Sequence, residues 1–271
     1  MKFKGENLIL AAAVGYKFQQ IELFIKTLRQ YYYENICIVI GEKDENLAEE
    51  LKKYNCEILK TKINKKKIQF KRYKIFLDYL SKKSFKNILL CDSRDIFFQK
   101  NPFDYKYGKL NFFLEDHKIK DCPYNSNWII KTYGHKNFFE IAEKTILCSG
   151  TVLGDQNKIM EYLELLNIQI GKFPYRKRLK YLLTFRVDPE GRGCDQGHAN
   201  YIVHKSLIKD ITFHSNLDGP FATVFYLNEI NFDNNLKLLN RTGKTYLLVH
   251  QYDKRWKEFY NAIEVIKKKF I

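Results

Sequence analysis

Two carboxylates close an apolar run in "KNILLCDSRDIFF", residues 86–98. Asp92 and Asp95 follow Leu89, Leu90 and Cys91 and precede Ile96, Phe97 and Phe98. A carboxylate beside a core is costly unless it is paired, hydrogen-bonded or bound to a cation. Two acids with a two-residue gap at a strand–loop corner can reach one hard divalent ion, since Mg²⁺ and Mn²⁺ take carboxylate oxygens. The structural alternative pairs Asp92 with Arg94 and makes Asp95 a cap or turn residue. A third group stands in "YLLVHQYDKRW", where His250 ends a late apolar strand. Its imidazole suits Mn²⁺, although a lone histidine on an apolar strand is more often a satisfied core residue. A fourth segment, "GRGCDQGHANYIVHK" (191–205), sets Asp195 and Gln196 between a glycine-rich loop and a helix. Asp195 there is either a helix N-cap or a ligand-facing acid.

The elements that must position these groups follow from hydrophobic period. Residues 7–15, 36–42, 56–62 and 86–92 read as strands, and 19–32, 45–55 and 69–82 as helices. Strands alternating with helices predict βαβ units, and unbroken apolar strands predict a sheet covered on both faces. The expected fold is therefore α/β, a single Rossmann-like domain with a mostly parallel central sheet flanked by helices. In such sheets ligands bind beyond the carboxyl ends of the strands. Gly15, Gly41 and the Asp92–Asp95 pair all fall there. Farther on, 110–117, 146–155, 211–219 and 245–253 read as strands, and 156–167 and 254–270 as helices.

The chain of 271 residues, 45% of them hydrophobic, can bury a sizeable core. Its six cysteines are scattered without zinc spacing and predict buried thiols in a reducing compartment. The N-terminal stretch lacks a secretory pattern, and no apolar run approaches the ~20 residues of a membrane span. A cytoplasmic protein is expected, peripheral at the inner face of the membrane if it meets one. The formal charge of +16 is concentrated in 60–74, 172–181 and 266–270. It implies an anionic partner or a lysine-rich compositional bias. Trp256, Phe259, Ile263 and Ile266 recur at helical spacing among C-terminal lysines, a pattern for an anionic membrane interface or for packing on the domain.

The segment "LLCDSRDIFFQKNPF" resembles the metal-binding segment of GT-A glycosyltransferases, with the acids spaced as DxxD rather than DxD. "CSGTVLGDQNKIMEYLELL" (148–166) resembles their acceptor-side strand, with "SG" as a small-residue turn. "CDQGHANYIVHK" (194–205) resembles the DQDxxN segment of retaining members related to glycogenin and bacterial galactosyltransferases; Asp195, Gln196 and Asn200 match, and Gly197 replaces the second acid. The resemblance spans most of residues 7–253. It implies a metal site of Asp92, Asp95 and His250, and a donor site of Ala11, Val14, Gly15, Tyr16, Arg72, Ser93, Arg94 and Lys254, with Lys71 and Arg255 beside it. Asp195 and Gln196 would hold the donor sugar. The implied activity is metal-dependent transfer from a nucleotide-diphosphate sugar, UDP-linked in the first instance, to a glycan or lipid-linked acceptor. A retaining course needs no general base; an inverting one would require Asp116 or Asp195 as the base. The about 1–100 half would bind nucleotide and the about 101–253 half sugar and acceptor, with a basic helix after 254. The rival is a non-catalytic module of similar shell that binds a membrane surface or nucleic acid through its charge. No nucleic-acid signature accompanies that charge, so nucleic acid is not expected as a partner.

Overall fold

The computed structural model describes residues 6–173 and 193–269. Most of the basic run 172–181 and the start of the glycine-rich loop lie outside the described residues. The first half alternates: β1 (Asn7–Ala12), α1 (Glu22–Tyr31), β2 (Asn35–Gly41), α2 (Glu45–Lys53), β3 (Glu57–Thr61), α3 (Ile68–Leu80) and β4 (Asn87–Cys91). Next come β5 (Ile96–Phe98), β6 (Leu110–Lys118), α4 (Pro123–Ile141), β7 (Thr145–Asp155), α5 (Gln156–Lys172) and α6 (Cys194–His204). The last described elements are β8 (Ile211–His214), β9 (Phe221–Thr223), β10 (Asn231–Phe232), β11 (Leu238–Leu239), β12 (Leu248–His250) and α7 (Trp256–Lys268).

The fold is α/β. Its central sheet has seven strands in the order β3-β2-β1-β4-β7-β6-β8, and β7 runs against the other six. Strand β1 shows why these strands read as unbroken apolar runs. Leu8 and Leu10 pack with α3, α5 and α6 on one face, while Ile9 and Ala11 pack with α1 and α2 on the other. Both faces are covered, so both alternating sets are apolar. The chain runs outward through β2 and β3 on one side of β1, then returns to lay β4 on the other. That reversal opens a crevice at the carboxyl ends of β1 and β4. Ser93 Oγ spans it, donating to Ala12 O at 2.8 Å.

A second sheet of three strands, β5-β12-β9, begins directly after Asp95. β12 lies antiparallel to β5 and parallel to β9, which sets His250 opposite Ile96 and Thr223. Phe97, Ala222 and Val249 from this sheet share a core with Phe259 and Ile263 of α7.

Several expectations change. The first strand stops at Ala12, and Gly15 sits in the turn beyond it with φ +69°, a conformation glycine tolerates without strain. The late strand expected over 245–253 contracts to Leu248–His250, and a 3₁₀ turn, Tyr252–Arg255, precedes α7. The "SG" pair at 149–150 lies in mid-strand β7 rather than in a turn. Helix α4 went unread. Its start follows the rules, with Pro123 in the first turn and the Cys122 side chain accepting from Asn125 N. Gly134 (φ 81°, ψ 166°) then breaks it, so its apolar residues form no single stripe.

The C-terminal apolar stripe is used internally. Phe259 and Ile263 are fully buried on the small sheet, Ile266 packs beside them, and Trp256 stays 40% exposed. No helix among the described residues is long and apolar enough to cross a membrane. Truncating a buried isoleucine typically costs ~2–5 kcal/mol. Ile263→Ala should lose that much in urea unfolding, and an unchanged midpoint would show that α7 is not part of the folded unit.

Candidate functional site

At the crevice, Asp92, Asp95 and His250 each turn one potential ligand atom inward, all within 4.8 Å of one another. His250 Nε2 lies 3.6 Å from Asp92 Oδ2 and 3.6 Å from Asp95 Oδ1. Those gaps exceed a hydrogen bond, and Nε2 is buried without a hydrogen-bond partner among the described residues. Ligands on opposite sides of a divalent ion with ~2.1 Å bonds stand ~4.2 Å apart, so a small inward shift would close this set. Two carboxylates and an imidazole are a donor set that Mn²⁺ accepts. Burial opposes charge on His250, yet Cys148 and the two carboxylates outweigh it and push its pKa well above the ordinary histidine value. The Cys148 Sγ stands 3.2 Å from His250 Nδ1.

Three features hold this convergence. The Asp92 backbone N–H donates to Gly150 O at 2.9 Å, tying the acid to β7. A Cβ at Gly150 would come within 2.5 Å of His250 Cε1 and 2.7 Å of Asp92 Oδ2, so only glycine lets β7 pass this close. Gln251 takes a left-handed φ of 63° and donates its N–H to Asp95 O at 2.8 Å, fixing the corner after His250.

Arg72, not Arg94, pairs with Asp92. Its Nη1 meets Asp92 Oδ1 at 2.5 Å, and its Nη2 meets Asp195 Oδ2 at 3.1 Å. Burial alone would raise the Asp92 pKa, but Arg72 and His250 reverse it and hold the carboxyl well below the ordinary range. Arg94 instead pairs with Asp253 at 2.7 Å and stands 4.0 Å from Asp95 Oδ2. Asp195 is buried and accepts from Tyr73 Oη as well as from Arg72. It is not the cap of α6; that position is Gly193, in the left-handed region. Asn200 accepts from Leu147 N and donates to Gln196 O, so it locks α6 onto β7.

The two acids of β6 point apart. Asp116 accepts from Asn216 Nδ2 at 3.4 Å. Its neighbour Glu115, which the sequence reading passed over, is 2% exposed and receives Gln196 Nε2 at 3.4 Å. Burial pushes its carboxyl up to about 7, against the opposing influence of His250 and Gln196. As one of two adjacent acids closing the strand, it gave no signal to be preferred over Asp116.

The remaining predicted residues divide. Tyr16 is close enough to feel Asp92, Asp95, Arg72 and Arg94, and burial raises its pKa. Lys65 Nζ stands 4.0 Å above its ring and donates to Gly15 O. Ala11 in β1 and Val14 in the turn beyond it are both buried. Lys71 and Lys254 are exposed. Arg255 points away from the cluster and donates to Leu227 O at 2.8 Å. Gly197 has a local cause: a Cβ there would lie 2.8 Å from Trp128 Cβ, so Trp128 occupies the room a side chain would need.

No protein-family model matches the chain, and no curated protein matches it significantly.

The raised Glu115 pKa carries a sign. A carboxyl whose folded pKa exceeds its unfolded value adds stability below the unfolded pKa and loses it as pH rises through the folded one. In metal-free protein, wild type should lose about 3 kcal/mol relative to Glu115→Gln as pH climbs from about 4 to 8. Urea unfolding of both proteins across that range checks it, and parallel pH profiles would contradict it.

Proposed function

We propose that this chain is a metal-dependent glycosyltransferase. It would move a sugar from a nucleotide-diphosphate donor, a UDP-sugar in the first instance, to a glycan or lipid-linked acceptor. One observation carries the reading. Asp92 and Asp95 from the end of β4 and His250 from a separate small sheet meet at the crevice, with a buried imidazole nitrogen that has no hydrogen-bond partner among the described residues. The resemblance of the DSRD, DQ and VHQYD segments to GT-A enzymes supports the same set of residues.

Asp92, Asp95 and His250 would hold Mn²⁺ or Mg²⁺, which when bound supplies Lewis-acid neutralisation of a departing diphosphate. Ala11, Val14, Gly15 and Tyr16 would frame the nucleoside end, Ser93 keeping the two strand ends in register. Exposed Lys254 could meet phosphate oxygens as a charge partner. Asp195, fixed by Tyr73 and Arg72, would accept from a donor-sugar hydroxyl, and Gln196 would orient that sugar beside Glu115. A retaining course suits these surroundings. It needs no free base, and Asp195, held through Oδ2 by Arg72 and Tyr73, keeps Oδ1 for the sugar hydroxyl.

Calorimetric titration of UDP with and without Mn²⁺ tests the reading. Wild type should bind UDP with Mn²⁺, and Asp95→Asn should bind at least ~100-fold more weakly while staying folded, because a neutral amide cannot balance the cation. UDP binding indifferent to Mn²⁺, or Mn²⁺-dependent binding retained in Asp95→Asn, would overturn it.

A further inference from the structure

Beside the Gln196–Glu115 pair stands an arc of aromatic rings that the donor reading does not use. Thr223 is the residue paired with His250, and the chain passes from it directly into Val224–Phe225–Tyr226. Tyr226 stacks flat on His117, centroids 4.3 Å apart and planes at 5°, and His117 lies two residues beyond Glu115 on β6. Phe225 leans on Tyr226 at 4.6 Å and is 45% exposed. Glu115 and Tyr124 both lie close enough to act on the Tyr226 hydroxyl. Tyr124 is 54% exposed and its ring sits 6.0 Å from that of Trp128, whose Cβ packs against Gly197 next to Gln196. The shelf is braced from below. Arg255 donates to Leu227 O, and Tyr226 Oη to Cys122 Sγ.

Large aromatic faces held rigid and exposed are costly to keep in water and mark recognition surfaces. Their polar neighbours include the buried carboxyl of Glu115 and the amide of Gln196. A pyranose ring offers an apolar C–H face to the rings and hydroxyls to that carboxyl and that amide. We propose that Tyr124, Phe225 and Tyr226 form the acceptor subsite, and that the acceptor group docking there is an uncharged pyranose sugar. This rests on the glycosyltransferase reading for the word acceptor, but not for the sugar site itself.

Saturation-transfer NMR on the full chain, with methyl α- and β-glucopyranosides and galactopyranosides as probes, separates the two. Wild type should transfer saturation to the ring C–H protons of at least one probe. Tyr124→Ala/Phe225→Ala should lose most of that transfer, while Phe213→Ala, another exposed aromatic on β8, keeps it. Mn²⁺-dependent UDP binding should be unchanged in the double variant. If UDP fails to bind wild type but the shelf-dependent sugar signal persists, the donor reading falls and the sugar site stands. No transfer to any probe in wild type, or equal transfer in the double variant, overturns the site. Circular dichroism of the double variant, with single Phe225→Ala as the fallback, excludes loss of fold as the cause.

Discussion

A guanidinium buried between two carboxylates holds the centre of this molecule together. Arg72 of α3 reaches Asp92 at the end of β4 and Asp195 in the first turn of α6, so one side chain joins three elements. Like charges ~4 Å apart repel by about 4 kcal/mol at an effective dielectric near 20, and removing a partner from a buried pair costs more still. Arg72 relieves part of that repulsion. Glu115 avoids adding to it, because burial shifts it toward its neutral form. Asp92, Asp95, Asp195 and Asp253 against the guanidiniums of Arg72 and Arg94 leave an excess of two negative charges, the charge of one divalent ion. In the absence of the ion, the raised pKa of His250 lets a proton offset part of the excess. Proton and metal would then compete for the same nitrogen.

The rest of the fold serves the position of that charge. Covering the sheet on both faces leaves its strand ends as the place where polar groups can gather. The small sheet brings His250 back across the crevice, and α7 packs Phe259 and Ile263 behind it as a rigid support. Gly150 and the left-handed Gln251 are local concessions to close approach, the first by omitting a side chain and the second by accepting a strained backbone. Arg255 belongs to this support, since it grips the carbonyl of Leu227 rather than facing the cluster.

The sequence made the first half legible because it is written in local signals. Apolar strands such as 36–42 and amphipathic helices such as 45–55 fall within a residue or two of β2 and α2. The acids at the end of β4 and the histidine at the end of β12 stood out as polar groups closing apolar runs. What stayed hidden depends on long-range pairing. Nothing local says that Arg72, rather than adjacent Arg94, takes Asp92, or that Asp195 turns to Tyr73 instead of capping its helix. Glu115 was overlooked because its importance comes from burial beside Gln196, which a strand pattern does not reveal. Helix α4 was lost to its own kink at Gly134, and the C-terminal stripe could not declare from sequence alone whether it met a membrane or the small sheet.

The central claim is that one divalent ion is held by two carboxylates and one imidazole at the crevice. Electron spin-echo spectroscopy of the full chain with one equivalent of Mn²⁺ reads the imidazole contact directly, through the coupling of a ligated nitrogen to the metal. The account predicts a single ¹⁴N coupling in wild type that vanishes in His250→Ala, with the far-ultraviolet dichroism of the two proteins alike. Bound Mn²⁺ with no nitrogen coupling in wild type, or the same coupling retained in folded His250→Ala, would contradict it.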